Sequence, residues 1–199
     1  MNTSLKFLFV LTAVVTLSVA YPARANLITN GGFETGDYTG WTHSGGNTNA
    51  VMGTFNGTAP HSGNFQAVLG TNFPFFPSAS ISQSVATTSG ATYTVDFFAA
   101  ATSGFLENSF TLSVTWGGGT VFSHLFTSDS GYTEYTFNVT ASASSTALSF
   151  INTGGVGFLL LDDISVTPAG VGVPDDGSTV SLLGFGLLGL AALRRKLSC

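Results

Sequence analysis

At 199 residues, with a formal charge of −5 and a single cysteine at the last position, the chain has length for one domain with a real core, which must fold without disulfides. All five basic residues sit at the ends, Lys6 and Arg24 in front and Arg194, Arg195 and Lys196 behind, so residues 26–170 set eight carboxylates against no Lys or Arg. Such a body cannot neutralise phosphates, which excludes nucleic acid and anionic lipid head groups as partners and makes divalent cations the natural company of clustered carboxylates.

The first element in chain order is residues 1–25. Lys6 precedes an apolar run that ends at Ala20, and Ala23-Arg24-Ala25 supplies the small-x-small pattern that signal peptidase reads. These features predict a signal-peptide helix, export through the Sec pathway and a mature chain that begins at Asn26. No cysteine follows the signal, which excludes a lipoprotein.

Residues 26–168 read as strands. The texture is Thr, Ser, Gly, Val and fifteen phenylalanines, with almost no helix-forming Glu, Lys, Gln or Arg. Period-two alternation runs through Tyr93-Val95-Phe97-Ala99, Phe110-Leu112-Val114-Trp116 and Tyr135-Phe137-Val139. Further strands are expected at 49–55, 64–70, 79–86, 119–126, 146–152 and 157–167, with turns at Ser89-Gly90, Gly117-Gly118-Gly119, Ser130-Gly131 and Gly154-Gly155. Short strands at this spacing predict an all-β fold, an antiparallel jelly-roll-like β-sandwich.

Residues 169–199 form a tail in three parts. An extended stretch, Val173-Pro174-Asp175-Asp176-Gly177-Ser178-Thr179, leads into an apolar helix over 180–193, and Arg194-Arg195-Lys196 forms a basic stop. Fourteen helical residues span roughly 21 Å, short of the ~30 Å hydrocarbon core. Snorkelling Arg and Lys recover some length, and the basic cluster should stay cytoplasmic with the body outside. Both ends therefore predict the same topology.

The tail resembles the PEP-CTERM sorting signals of Gram-negative bacteria, in the variant built on Val-Pro-Asp-x-Gly-Ser/Thr. Here Val173-Pro174-Asp175 stands where the commonest form has Pro-Glu-Pro, and the chain runs on to Leu197-Ser198-Cys199. The resemblance implies transient anchoring in the inner membrane through the helix. It also implies processing by an exosortase, a membrane cysteine transpeptidase found alongside exopolysaccharide production, and a destination in the cell envelope or extracellular matrix.

The body carries its own family pattern. Asn26-Leu-Ile-Thr-Asn-Gly-Gly-Phe-Glu34 and Gly40-Trp41 open it, His61-Ser-Gly-Asn-Phe65, Ile81-Ser-Gln-Ser-Val85 and Gly90-Ala-Thr-Tyr-Thr-Val95 follow, and Leu161-Asp-Asp-Ile-Ser-Val166 closes it. This series is similar to the galactose-binding-like jelly rolls of carbohydrate-binding modules. The resemblance implies that the first and last strands pair at one edge and hold one structural calcium. The ligands would be Glu34 with Asp162 or Asp163, helped by backbone carbonyls near Asn30 and Gly31. An oxygen-only donor set without a basic partner suits a hard cation; otherwise these carboxylates cap turns and face water.

A module that binds exopolysaccharide would need aromatic platforms. The candidates are Trp41 and Phe73, Phe75 and Phe76 in the Asn72–Pro77 loop, too rich in proline for an interior strand and too apolar for an ordinary turn. Trp116 lies in phase with Phe110 and Leu112 and is expected in the core, where Trp41 also commonly lies in this fold. Catalysis has little support: His43, His61 and His124 are scattered, no Gly-x-Ser-x-Gly elbow exists, and neighbours such as Asp162 and Asp163 on a strand point to opposite faces. The sequence thus predicts an exported, exosortase-sorted envelope or matrix protein without catalytic activity, with a carbohydrate-binding module as the alternative.

Overall fold

The computed structural model describes residues 25–102 and 109–169. The expected signal peptide up to Arg24 lies outside the described residues, as do Glu107 and the tail from Gly170 on, with the sorting motif, apolar helix and basic stop. Among the described residues no helix is long and apolar enough to cross a membrane.

Ten strands form: β1 (Thr42–Gly45), β2 (Thr48–Met52), β3 (Gln66–Asn72), β4 (Ser78–Ala86), β5 (Thr92–Thr102), β6 (Phe110–Trp116), β7 (Gly119–Phe126), β8 (Ser130–Thr140), β9 (Ser145–Thr153) and β10 (Val156–Pro168). They build two five-stranded sheets, ordered β1-β4-β9-β6-β7 and β2-β3-β10-β5-β8, in which every pairing is antiparallel. Alternation places the core: Phe97 on β5 lies against Phe150 on β9, ring centroids 4.9 Å apart, and both are fully buried between the sheets. Trp116 is buried in the core, and its indole N–H donates to the Thr140 carbonyl at 3.1 Å.

Nine of these strands overlap segments that the sequence pattern predicts. The exception is β1, Thr-His-Ser-Gly, whose four residues are all exposed. A strand with no buried side leaves no alternation to read.

The opening and closing segments do pair, but not at a sheet edge. β10 lies at the centre of its sheet, with β5 along one side; β3 covers the other side only from Val156 to Leu161. Beyond that point the opening segment takes the place of β3: Leu27 N–H donates to Val166 O at 2.8 Å, and Ile164 N–H to Gly31 O at 3.0 Å. The Asn26 side chain adds a clamp, its Oδ1 accepting from Val166 N–H at 3.0 Å. One flank of the central strand is therefore shared between two separate segments.

Candidate functional site

Where β3 gives way to the opening segment, β10 is irregular: its register with β5 shifts between Asp162 and Ser165, and Asp163 has φ +49°. Aspartate tolerates this left-handed conformation better than most residues. The bulge corrects the expectation that Asp162 and Asp163 point to opposite faces, because both carboxylates turn to the same partner. Ser62 N–H donates to Asp162 Oδ2 at 3.1 Å, and Ser62 Oγ donates to Asp163 Oδ1 at 2.7 Å. His61 Nδ1 lies 2.7 Å from Asp163 Oδ2, and its ring stacks on Phe98 at 3.6 Å between centroids.

Glu34 reaches the same loop from the opening segment. Its carboxylate accepts Asn64 N–H at 2.9 Å and Phe65 N–H at 3.0 Å. Two glycines make these approaches possible. A side-chain carbon on Gly31 would collide with the Ile164 carbonyl, and one on Gly63 (φ +58°) with the Glu34 carboxylate. Three carboxylates thus fasten the His61–Phe65 loop, which leads into β3.

The electrostatics of the three differ. Hydrogen bonds from the Asn64 and Phe65 amides hold the Glu34 carboxyl below its ordinary value. Burial pushes Asp162, which has no accessible surface, up to about 6. Burial also raises the Tyr132 hydroxyl, helped by the charges of Asp162 and Asp163. That hydroxyl donates to Gln66 Oε1, while Gln66 Nε2 donates to Gly53 O at 2.7 Å and Thr58 O at 2.9 Å. The stretch after β2 is held in this way over an outer apolar cluster of Val68, Ala100 and Leu160.

The expected metal ligands do gather. A side-chain carbon on Gly32 would lie 3.3 Å from Asp163 Oδ1, 3.8 Å from Asp162 Oδ1 and 3.9 Å from Glu34 Cγ. Among the described residues, however, no three His, Cys, Asp or Glu side chains form a group that could hold a metal ion. Of the helper carbonyls, Asn30 O already accepts from Phe33 N–H at 3.2 Å and from the Trp41 indole at 3.1 Å. Gly31 O accepts only Ile164 N–H among the backbone donors and retains a lone pair. The proximity of Ser62, His61 and Asp163 does not make a nucleophilic triad, since the serine hydroxyl is bound to the aspartate rather than to the imidazole.

The candidate sugar platforms separate cleanly. Trp41 is corrected to a core residue: it is 7% exposed, packed 5.8 Å from Phe33 and 6.3 Å from Phe150, and offers no face to a ligand. Phe73, Phe75 and Phe76 are 63%, 77% and 46% exposed. Their loop joins β3 to β4 at one end of the sandwich. Asn72 and Phe76 exchange backbone hydrogen bonds of 2.9 and 2.8 Å, and Phe73 N–H donates to Gly155 O at 2.9 Å. A surface cavity of about 380 Å³ lies elsewhere, toward the far end of β4, and is lined by polar groups that include Thr29, Thr42, Ser82 and Gln83.

Comparison with known proteins fixes the family. A family model described as protein of unknown function (DUF642) matches residues 26–157. The chain belongs to DUF642. The VPDSG-CTERM motif, a C-terminal sorting motif consistent with export and envelope association, matches residues 172–197. No curated protein matches the DUF642 chain. Among solved structures, TmCBM61 in complex with beta-1,4-galactotriose aligns at 20% identity and a TM-score of 0.52, over 73% of this chain and 99% of that one. The CBM22-1 xylan-binding domain of Paenibacillus barcinonensis Xyn10C aligns at 17% identity and 0.54, over 75% and 97%. The enzymatically active domain of bacteriophage CBA120 tailspike protein 4 aligns at 14% and 0.54, over 72% of this chain but only 21% of its own. The shared feature is the β-sandwich.

The opposed shifts of Glu34 and Asp162 set a pH signature. Glu34 adds stability that is lost only as pH falls through and below 4.5. Asp162, raised from 3.8 to about 6, adds stability that is present at low pH and lost as pH rises through that interval. Between pH 4.5 and 6 the Glu34 contribution is constant while that of Asp162 falls as pH rises. In divalent-free buffer the thermal midpoint should fall across that window, and Asp162→Asn should flatten the slope. An unchanged slope in the variant would assign it to another group.

Proposed function

We propose that this DUF642 chain is an exported, exosortase-processed protein of the cell envelope or extracellular matrix whose body binds an uncharged polysaccharide and catalyses nothing. The observation that carries the binding reading is the trio of exposed phenylalanines on a hydrogen-bonded loop, 63%, 77% and 46% accessible. Apolar sugar faces stack on such rings, and clustered exposed aromatics on an otherwise polar surface mark interaction sites. The body's charge restricts the ligand. A polymer rich in uronate or sulfate would meet carboxylates throughout and find no Lys or Arg between residues 26 and 170.

Affinity electrophoresis through neutral and polyuronate gels tests this. Retardation should occur in a neutral polysaccharide gel, and Phe75→Ala and Phe76→Ala should weaken it several-fold with an unchanged thermal midpoint. Loss of stability in those variants would make the loop a packing element instead.

The sorting half of the proposal rests on the motif match over residues 172–197. Mass spectrometry of the protein recovered from its host should find no peptide much beyond Val180. An intact C-terminus ending at Cys199 would reduce the tail to a plain anchor.

A structural calcium belongs to the same reading. The Asp162 and Asp163 oxygens beside Gly32, with Glu34 close by and no Lys or Arg between residues 26 and 170, suit a hard divalent ion, to be held by Glu34, Asp162 or Asp163 and the Gly31 carbonyl. An ion at about 100 times its dissociation constant adds roughly 2.7 kcal/mol, and about 1 kcal/mol is worth a few degrees in a domain of this size. Chelator should lower the midpoint by several degrees, and Glu34→Ala should remove the difference between calcium and chelator. Superimposable curves with and without calcium would leave the carboxylates as loop fasteners only.

A further inference from the structure

Two sandwiched sheets leave four edges, and three of them are guarded. β1 and β2 are only four and five residues long. β8 has eleven residues but carries Glu134 exposed at its middle. Short strands and charges are the usual devices by which edges avoid pairing with another chain. β7 has eight residues, Gly-Thr-Val-Phe-Ser-His-Leu-Phe, with neither proline nor any Asp, Glu, Lys or Arg. Among the described residues it pairs with β6 on one side alone, so a row of its backbone N–H and C=O groups faces outward. A bulge near Val121 disturbs only its beginning, and Phe122–Phe126 runs in regular register with Phe110–Val114.

The side chains add a self-complementary pattern. The exposed large hydrophobics of the described residues are the three loop phenylalanines and two others, Val121 (41%) and Leu125 (56%), both on β7. They stand two residues on either side of Ser123, and all three are exposed while Phe122 and His124 between them are half-buried, so they share the outer face even though Val121 is the bulge residue. If two copies pair antiparallel about Ser123, Val121 of each faces Leu125 of the other, and Phe122 faces His124 on the opposite side. Directly opposed side chains in such a pair come within about 4.5–5.5 Å, so each exposed aliphatic is covered by the other.

Charge favours a second copy as the occupant. No strand of the β1-β4-β9-β6-β7 sheet contains an Asp, Glu, Lys or Arg, whereas β5, β8 and β10 carry Asp96, Glu134, Asp162 and Asp163. Of the two long edge strands, β7 is the one without a carboxylate, so two bodies with an excess of carboxylates meet with less repulsion along it than along β8. We propose that β7 is a self-association edge, along which two copies pair antiparallel about Ser123 into one ten-stranded sheet. The contact is isologous and uses the only unguarded edge among the described strands, so assembly stops at the dimer.

The test uses the full chain in a detergent that disperses its apolar tail. Sedimentation velocity should find a dimer. Val121→Lys or Leu125→Glu alone should weaken it by about tenfold or more. The double variant should restore it, because each introduced lysine then faces the introduced glutamate of the other copy. Ser123→Cys in a Cys199→Ser background should also cross-link on oxidation, since opposed residues of an antiparallel pair lie within disulfide reach. Thr111→Cys on the interior strand β6 should not. A monomeric wild type, a dimer indifferent to Val121→Lys, or a double variant that stays monomeric would each overturn the proposal.

Discussion

The structure depends on one arrangement: the central strand β10 has a continuous neighbour in β5 but a divided one on its other flank. β3 covers β10 as far as Leu161, and the opening segment covers it from Ile164. Between them β10 presents Asp162 and Asp163, where two neighbours end and neither can continue the ladder. Backbone amides at such a break need acceptors, and carboxylates supply them. Asp162 takes Ser62 N–H, and Glu34 takes the amides of Asn64 and Phe65. The β-bulge, the left-handed Asp163 and the close-packed Gly31 and Gly63 all follow from fitting this junction. Phe33 also sits at φ +57°, a conformation costing of order 1–3 kcal/mol that complete burial of its ring offsets.

The lack of basic residues governs what the junction can do. In a domain with Lys and Arg, buried carboxylates find ion pairs; here the described partners are amides, hydroxyls and one imidazole. Amide hydrogen bonds favour the charged form, as at Glu34, whereas burial without a counter-charge favours the neutral form, as at Asp162. One cluster therefore contains a carboxylate satisfied without a cation and another for which a cation would be favourable. The same lack of basic residues separates the molecule by face, with acidic groups on the β10 sheet and hydroxyls on the other. Ser80 and Ser82 on β4 and Ser113 and Thr115 on β6 alternate there with buried neighbours.

Much of this was legible in the chain, and what escaped did so for identifiable reasons. Strands with one buried side announced themselves by alternation, as Tyr93-Val95-Phe97 did. β1, exposed on both sides, had no such signal. The Phe73–Pro77 loop was recognisable as an exposed apolar patch because proline barred it from the interior of a sheet. The gathering of Glu34, Asp162 and Asp163 came from family resemblance alone, and alternation gave the wrong relation between the two aspartates. Period two assumes an unbroken strand, and a bulge set by the meeting of two distant segments has no local signature. His61 and Ser62 stood within a quoted motif, but their bonds to Asp163 span about a hundred residues of sequence and needed the fold. The exposed aliphatics of β7 looked like ordinary strand residues, because edge position is a property of sheet order rather than of the segment.

Sheet order also relates the two surfaces to each other. Ser78, Thr153, Thr111 and Leu125 form one row across β4, β9, β6 and β7, so the phenylalanine loop before Ser78 lies at the same end of the sandwich as Leu125. Antiparallel pairing of β7 with its copy reverses strand direction across the junction. The phenylalanine loops of a dimer would then face opposite ends of the ten-stranded sheet. Two sites so placed cannot readily engage neighbouring sugars of one polymer segment, which would raise affinity through effective concentration. They suit the bridging of separate strands, and the neutral faces would form one surface with the acidic faces turned away from it. A matrix protein built on this plan would act as a cross-link, whose contribution depends on having two loops per assembly rather than on tight binding at either one.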